Sequence, residues 1–152
     1  MAIGEICSRD VVFAKRDATV KTAARLMREF HVGSVVVVDE PNGKRIPAGI
    51  LTDRDITVAV VALGLDPEVI EIGDIMSGEL ITVPEGAGIA EAVELMRLKG
   101  IRRVVVTDAG GDLVGIVAAD DMVSLLAEEM SALASMAGRE QKREAALRKV
   151  TV

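Results

Sequence analysis

The sequence predicts a mixed α/β (α+β) protein made of two β-α-β-β-α repeats packed by their sheets, and three observations carry that prediction. First, the chain repeats itself. IGEICS at 3–8 returns as IGDIMS at 72–77, a shift of 69 positions. The same shift places Ala23, Leu26, Met27 and Arg28 on Ala92, Leu95, Met96 and Arg97, and Asp39 on Asp108. Second, each copy mixes apolar residues at helical spacing with short β-branched runs, so a period this long describes two globular halves rather than a solenoid. Third, half of the 152 residues are hydrophobic, yet Trp and Tyr are absent and Phe occurs twice. The core must therefore consist of close-packed aliphatic layers, and the chain is long enough to bury one without disulfides or a metal.

In the first copy Ala23, Leu26, Met27 and Phe30 recur at helical spacing, with Asp17 as a candidate N-cap. SVVVVD at 34–39 is a continuous β-branched run suited to a buried strand. Asn42-Gly43 marks a tight turn into a second strand, IPAGIL, in which Pro47 indicates an edge position. Thr52 then opens a helix through DITVAVVAL that closes at Gly64. The second copy follows the same order: a strand near LITV, a helix from about Ile89 to Leu98, RVVVTD, a turn, LVGIV, and a helix from DMVSLLAEEM onward. Its turn is three residues shorter, so the offset falls to 66 beyond it, as expected for length change in a loop. Two three-stranded sheets of this kind can bury their aliphatic faces together across a pseudo-twofold axis, leaving a cleft between the copies.

A formal charge of −6 disfavours nucleic acid as a partner. One cysteine, Cys7, supplies neither a disulfide framework nor a cysteine-rich zinc site, which fits a reducing cytoplasm. No stretch reaches the roughly 18 apolar residues of a membrane span, and MAIGEICSRD lacks a basic region followed by an apolar run. The expectation is a soluble, cytoplasmic protein with no membrane partner.

The duplicated unit, the strand-turn elements VVVVDE and VVVTDAGG, and GILTDRDI at 49–56 resemble a tandem pair of CBS domains (cystathionine β-synthase domains, or a Bateman module). The likeness spans residues 1–128, divided as 1–66 and 67–128, with 129–152 as a helical, charged tail. It implies a module that binds an adenosine-containing ligand between its repeats, regulates another protein and dimerises through its helices.

Thr52 and Asp55 stand at capping-box spacing, which alone accounts for a helix start. A helix start also attracts phosphate, and residues three apart share one face. A carboxylate there opposes phosphate but suits a neutral diol, whose two hydroxyls donate to its oxygens. Asp55 is accordingly the candidate ribose ligand, the part the family's aspartate plays, with Thr52 beside sugar and phosphate. Arg54 points either to phosphate or to solvent. From the other copy, Arg102 and Arg103 occupy a place where nucleotide-binding members often carry a phosphate-gripping cation. Strand alternation sends them to opposite faces and favours Arg103 for the cleft, while a solvated strand edge explains both equally simply. Gly33 and Ser34 hold the equivalent place in copy one and leave room for a flat base, with Val12, Val32 and Ile50 as its apolar slot or as plain core. The reciprocal combination, Ala118 and Asp121 with Gly33 and Ser34, lacks the hydroxyl and the cations, and Asp120 adds negative charge. One phosphate-dependent site per chain is expected.

The remaining features read as structure. His31 ends a helix, Asp53 with Asp55 and Asp120 with Asp121 are helix-start acids rather than a divalent-cation site, and Cys7, Met27 and Met96 fill core. No nucleophile stands with a base, so no enzyme and no required cofactor are expected. The sequence reading is a stand-alone, homodimeric regulatory module for an AMP-, ADP- or ATP-like nucleotide, signalling to an unidentified regulated protein. Its rival is a non-catalytic assembly scaffold with an empty cleft.

Overall fold

The computed structural model describes residues 1–149 and divides into two units, Met1–Val117 and Ala118–Val152. The first unit opens with α1 (Ile3–Ile6), β1 (Phe13–Lys15), α2 (Val20–Phe30), β2 (Ser34–Asp39), a 3-10 turn at Pro41–Gly43 and β3 (Ile46–Thr52). Next come α3 (Asp53–Ile56), running into a π-helical turn at Thr57–Val61, then α4 (Ile72–Ile75), β4 (Thr82–Pro84), α5 (Ile89–Lys99), β5 (Arg103–Thr107) and β6 (Leu113–Ala118). The second unit is essentially α6 (Ala119–Lys149).

The strands form two three-stranded sheets, β1-β2-β3 and β4-β5-β6. β1 pairs parallel with β2 and β2 antiparallel with β3; β4 pairs parallel with β5, as β1 does with β2, and the strand order is the same in each copy. From Val35 to Val38 β2 is apolar and buried without interruption because both its faces are covered. Val35 and Val37 face the helices, in a cluster with Ala14, Ala23, Met27, Leu51 and Ile72. Val36 and Val38 meet Val105 of β5, so the two sheets bury their inner faces against each other. Pro47 sits on edge strand β3, where the register slips by one residue between Val37 and Val38. The turn before it uses left-handed backbone at Asn42 (φ 54°) and Gly43 (φ 78°).

Two local expectations change. Thr19, not Asp17, caps α2: its Oγ1 accepts from Thr22 N at 3.2 Å. The helix begins at Val20 because that N–H is tied to Ile70 O at 2.9 Å, which leaves Asp17 exposed in the preceding turn. Phe30, the last helical residue, is 54% exposed, so the buried stripe closes at Met27. His31 ends the helix in left-handed conformation (φ 53°), its N–H donating to Met27 O.

The copies also exchange their opening segments. Ile3 N and Gly4 N donate to Ala87 O and Glu85 O, both at 2.8 Å, and Ser8 and Ile116 exchange bonds of 2.9 and 3.0 Å. Reciprocally, Ile72 N and Gly73 N donate to Ala18 O and Arg16 O, and Ser77 N to Ile50 O at 3.1 Å. Each opening segment thus serves the other copy's sheet.

At the far end of β2, Arg16 makes two bonds to Asp39, Nε–Oδ1 at 2.8 Å and Nη2–Oδ2 at 3.0 Å. That hydrogen bonding, helped by the opposite charge, holds the Asp39 carboxyl below its ordinary range and raises Arg16. Because the folded pKa of Asp39 is depressed, the pair's contribution is present above the unfolded carboxyl pKa of about 3.9 and fades as pH falls through the folded value. The pair is solvent-exposed, so the effect is small. Thermal melts against pH are expected to show Arg16→Ala slightly less stable than the parent at neutral pH, with the gap closing below about pH 4.

α6 runs unbroken through Gly138 to Lys149. The tail expected over 129–152 is therefore helix as far as described, and residues 150–152 lie outside the described range. Its first turn is a reduced copy of the α3 start: Ala118 N donates to Asp121 Oδ2 at 2.9 Å, with no hydroxyl to reciprocate. No helix among the described residues is long and apolar enough to cross a membrane.

Candidate functional site

The site grows from the end of β3. Ser34 lies opposite Thr52 in the β2–β3 ladder, and Asp53 N donates to Gly33 O at 3.0 Å, so the two small residues anchor the point where strand turns into helix. There the capping box closes. Asp55 N donates to Thr52 Oγ1 at 3.1 Å, and Thr52 N to Asp55 Oδ2 at 2.8 Å. The bonds orient the hydroxyl and carboxylate on one face of the turn, both part-buried.

That face opens on a cavity of roughly 230 Å³ within the first unit. β3 and α3 contribute Ile50, Thr52 and Asp55; the segment before β4 contributes Ser77, Glu79, Leu80 and Ile81; the entry to β5 contributes Ile101, Arg102 and Arg103. Five of the ten sequence-derived candidates thus converge: Thr52, Asp55, Arg102, Arg103 and Ile50. Both arginines line the cavity because only Arg103 belongs to the strand. Arg102 lies in the bend before it, where side chains do not alternate.

The other five sit elsewhere. Val12 and Val32 pack against the helix-side core of the first copy. Gly33 and Ser34 buttress the cavity without lining it, though Gly33 has a spatial role: a Cβ there would lie 3.3 Å from Asp53 Oδ2 and 3.6 Å from Arg103 Nη2. A methyl there would press on the Asp53 carboxylate and only touch the guanidinium. Arg54 is exposed, its N–H donating to Asp53 Oδ1 at 2.8 Å.

Residues 77–81 form a wall that the sequence reading did not assign. Ser77 is bonded to Ile50, and Ile81 O accepts from Val105 N at 3.3 Å, so the segment bridges β3 of one copy and β5 of the other. The available signal was the apolar pair Leu80-Ile81 ahead of the strand, which was read as strand. Glu79 at the rim is paired with Lys99 Nζ at 3.0 Å.

Arg103 is half-buried, and among the described residues no salt bridge engages it. The cavity therefore offers a hydroxyl and a carboxylate from one copy, guanidinium groups from the other, and aliphatic walls between them. Such a set suits a molecule with a flat apolar part, a diol and an anionic end.

Two copies of an α/β unit with a three-stranded sheet each, their inner faces packed together, define a tandem-repeat class of fold. Residues 3–62 and 72–128 each match the CBS domain, and the chain belongs to that family. A relative is an uncharacterised protein of Methanopyrus kandleri, 42% identical over 125 residues that cover 82% of this chain and 62% of that protein. The chain thus spans less than two thirds of that relative's length. Among solved structures, it is similar to a CBS domain protein of Pyrobaculum aerophilum complexed with AMP, at 31% identity and a TM-score of 0.72, covering 80% of this chain and 89% of that one. It is also similar to the CBS domain pair of the protein MJ0100, in complex with 5′-methylthioadenosine and S-adenosyl-L-methionine, at 26% identity and a TM-score of 0.74 over 85% of this chain and 98% of that one.

Proposed function

We propose that this chain is a non-catalytic regulatory module that binds an adenine nucleotide in the cavity between its CBS repeats. The observation that carries the reading is that Thr52 and Asp55 of one repeat and Arg102 and Arg103 of the other line the same cavity. The ribose hydroxyls donate to Asp55. Its Oδ2 is shared with the cap, but a carboxylate offers about four lone-pair sites. Arg103 takes the phosphate, supported by Arg102, and the base lies against Ile50, Leu80, Ile81 and Ile101. A volume just under the usual range of about 300–1,000 Å³ favours one phosphate over three. The AMP and adenosyl ligands named for the similar structures support the ligand class.

Because one ligand touches both repeats, it shifts the population of their relative packing and so a surface read by a regulated protein in the cytoplasm. Titration calorimetry with AMP, ADP and ATP is expected to give one site per chain, tightest for AMP. Arg103→Ala loses a charge-assisted bond of about 1.5–3 kcal/mol and is expected to weaken AMP about tenfold or more. Binding indifferent to Arg103→Ala overturns the phosphate assignment. No thermal shift with any adenosyl compound, where about 2.7 kcal/mol is expected at a hundredfold excess over Kd, turns the reading to a scaffold with an unused cleft.

A further inference from the structure

We infer that Asp53 sets how many phosphates the site accepts, its carboxylate repelling whatever lies beyond the first. The inference rests on the nucleotide reading above and adds a selectivity that the ribose and phosphate ligands do not supply. Asp53 opens α3, between Thr52 and Asp55 on the same capped turn. Those two line the cavity, whereas Asp53 is exposed and stands outside it. Its position is fixed twice: its N–H donates to Gly33 O at 3.0 Å, and its Oδ1 accepts from Arg54 N at 2.8 Å. The second oxygen remains. Oδ2 lies 3.3 Å from the point where a Cβ would stand on Gly33, and Arg103 Nη2 lies 3.6 Å from that same point. Among the described residues no salt bridge joins the two groups.

A carboxylate beside the guanidinium that takes phosphate is the opposite of what phosphate affinity alone would call for, because like charges at short range repel. Its use is discrimination. Specificity is a difference of affinities, and a charge set against the wrong ligand creates it as well as a contact made to the right one. With the base against Ile50, Leu80, Ile81 and Ile101, the first phosphate reaches Arg103 at the polar end of the cavity. A second and third phosphate extend beyond that end, toward the exposed first turn of α3, where Oδ2 faces them. There each added negative charge meets a fixed one. A nucleoside monophosphate, or an uncharged adenosyl compound, avoids most of that repulsion, so the ligand class narrows to adenosyl compounds with at most one phosphate.

Titration calorimetry of the full chain with adenosine, AMP, ADP and ATP tests the inference, without magnesium so that each added phosphate adds charge. The parent is expected to bind AMP more tightly than ADP, and ADP more tightly than ATP. Asp53→Asn keeps the shape and the acceptor for Arg54 N, and circular dichroism checks that helix content is equal. It is expected to tighten ATP roughly tenfold, ADP less, AMP by no more than about threefold and adenosine not at all. Added salt should narrow the parent's preference for AMP over ATP more than the variant's. Asp17→Asn makes the same change in net charge from the exposed turn after β1, and should leave that preference unmoved. A parent that prefers ATP, a preference unchanged by Asp53→Asn, or one changed equally by Asp17→Asn overturns the inference while AMP binding and its dependence on Arg103 stand. A parent that binds no adenine nucleotide overturns both this inference and the reading beneath it.

Discussion

Asp55→Ala is expected to weaken adenine-nucleotide binding at least about a hundredfold while costing only about 1 kcal/mol of stability. The binding loss comes from two ribose hydroxyls, each losing a charged acceptor worth about 1.5–3 kcal/mol, so the sum exceeds the roughly 2.7 kcal/mol of a hundredfold change. The stability loss comes from the bond between Thr52 N and Asp55 Oδ2 at the start of α3. Thr52→Ala separates the roles. It removes the reciprocal bond to Asp55 N and a similar amount of stability, yet leaves the ribose acceptor in place. It should therefore weaken binding about tenfold or less. Calorimetry and urea unfolding on the same samples read both quantities. If Asp55→Ala binds within about threefold of the parent, the carboxylate is a cap and nothing more.

Gly115→Val is expected to cost about 3 kcal/mol and to lower the melting temperature by roughly 6–12 °C. Already a Cβ at Gly115 would lie 2.6 Å from Cys7 Sγ and 2.8 Å from Ser8 O. The backbone there cannot retreat, because Ser8 and Ile116 exchange two hydrogen bonds that hold the N-terminal segment in the second copy's sheet. The twin position, Gly49, meets Met76 Sδ at 2.9 Å and Ser77 O at 3.0 Å, and the flexible methionine can swing aside. Gly49→Val should therefore cost less than Gly115→Val. Gly78→Ala, with open space around it, should fall within about 0.5 kcal/mol of the parent. Thermal melts of the three variants decide the order, and equal losses at Gly115 and Gly78 would show that the exchanged segment carries no stability.

Much of this architecture was legible before any coordinates. The repeat announced two like halves, SVVVVD announced a strand covered on both faces, Pro47 an edge, and Thr52-Asp53-Arg54-Asp55 a capped helix. These signals are local: each depends on periodicity, backbone stiffness or a hydrogen bond between residues three apart. Where the reading slipped, the deciding contact came from elsewhere in the chain. α2 starts at Val20, whose N–H donates to Ile70 O, so Thr19 displaces Asp17 as cap. Val12 and Val32 read equally as base slot or as plain core, because strand alternation shows which residues share a face and not which layer that face meets. They pack toward the helices, and the cavity takes Leu80, Ile81 and Ile101 as walls instead.

By itself, then, the sequence determined two α/β halves, their aliphatic filling, the capped turn that presents a hydroxyl beside a carboxylate, and a pair of arginines at the matching strand entry. Tertiary structure alone decided that these groups share one cavity, that residues 77–81 close it, and that each half borrows the other's opening segment. The division has a physical basis. Propensities and caps act over one turn or one strand, whereas a site assembled from residues about fifty positions apart exists only after burial of Val36 and Val38 against Val105 has brought the two sheets together.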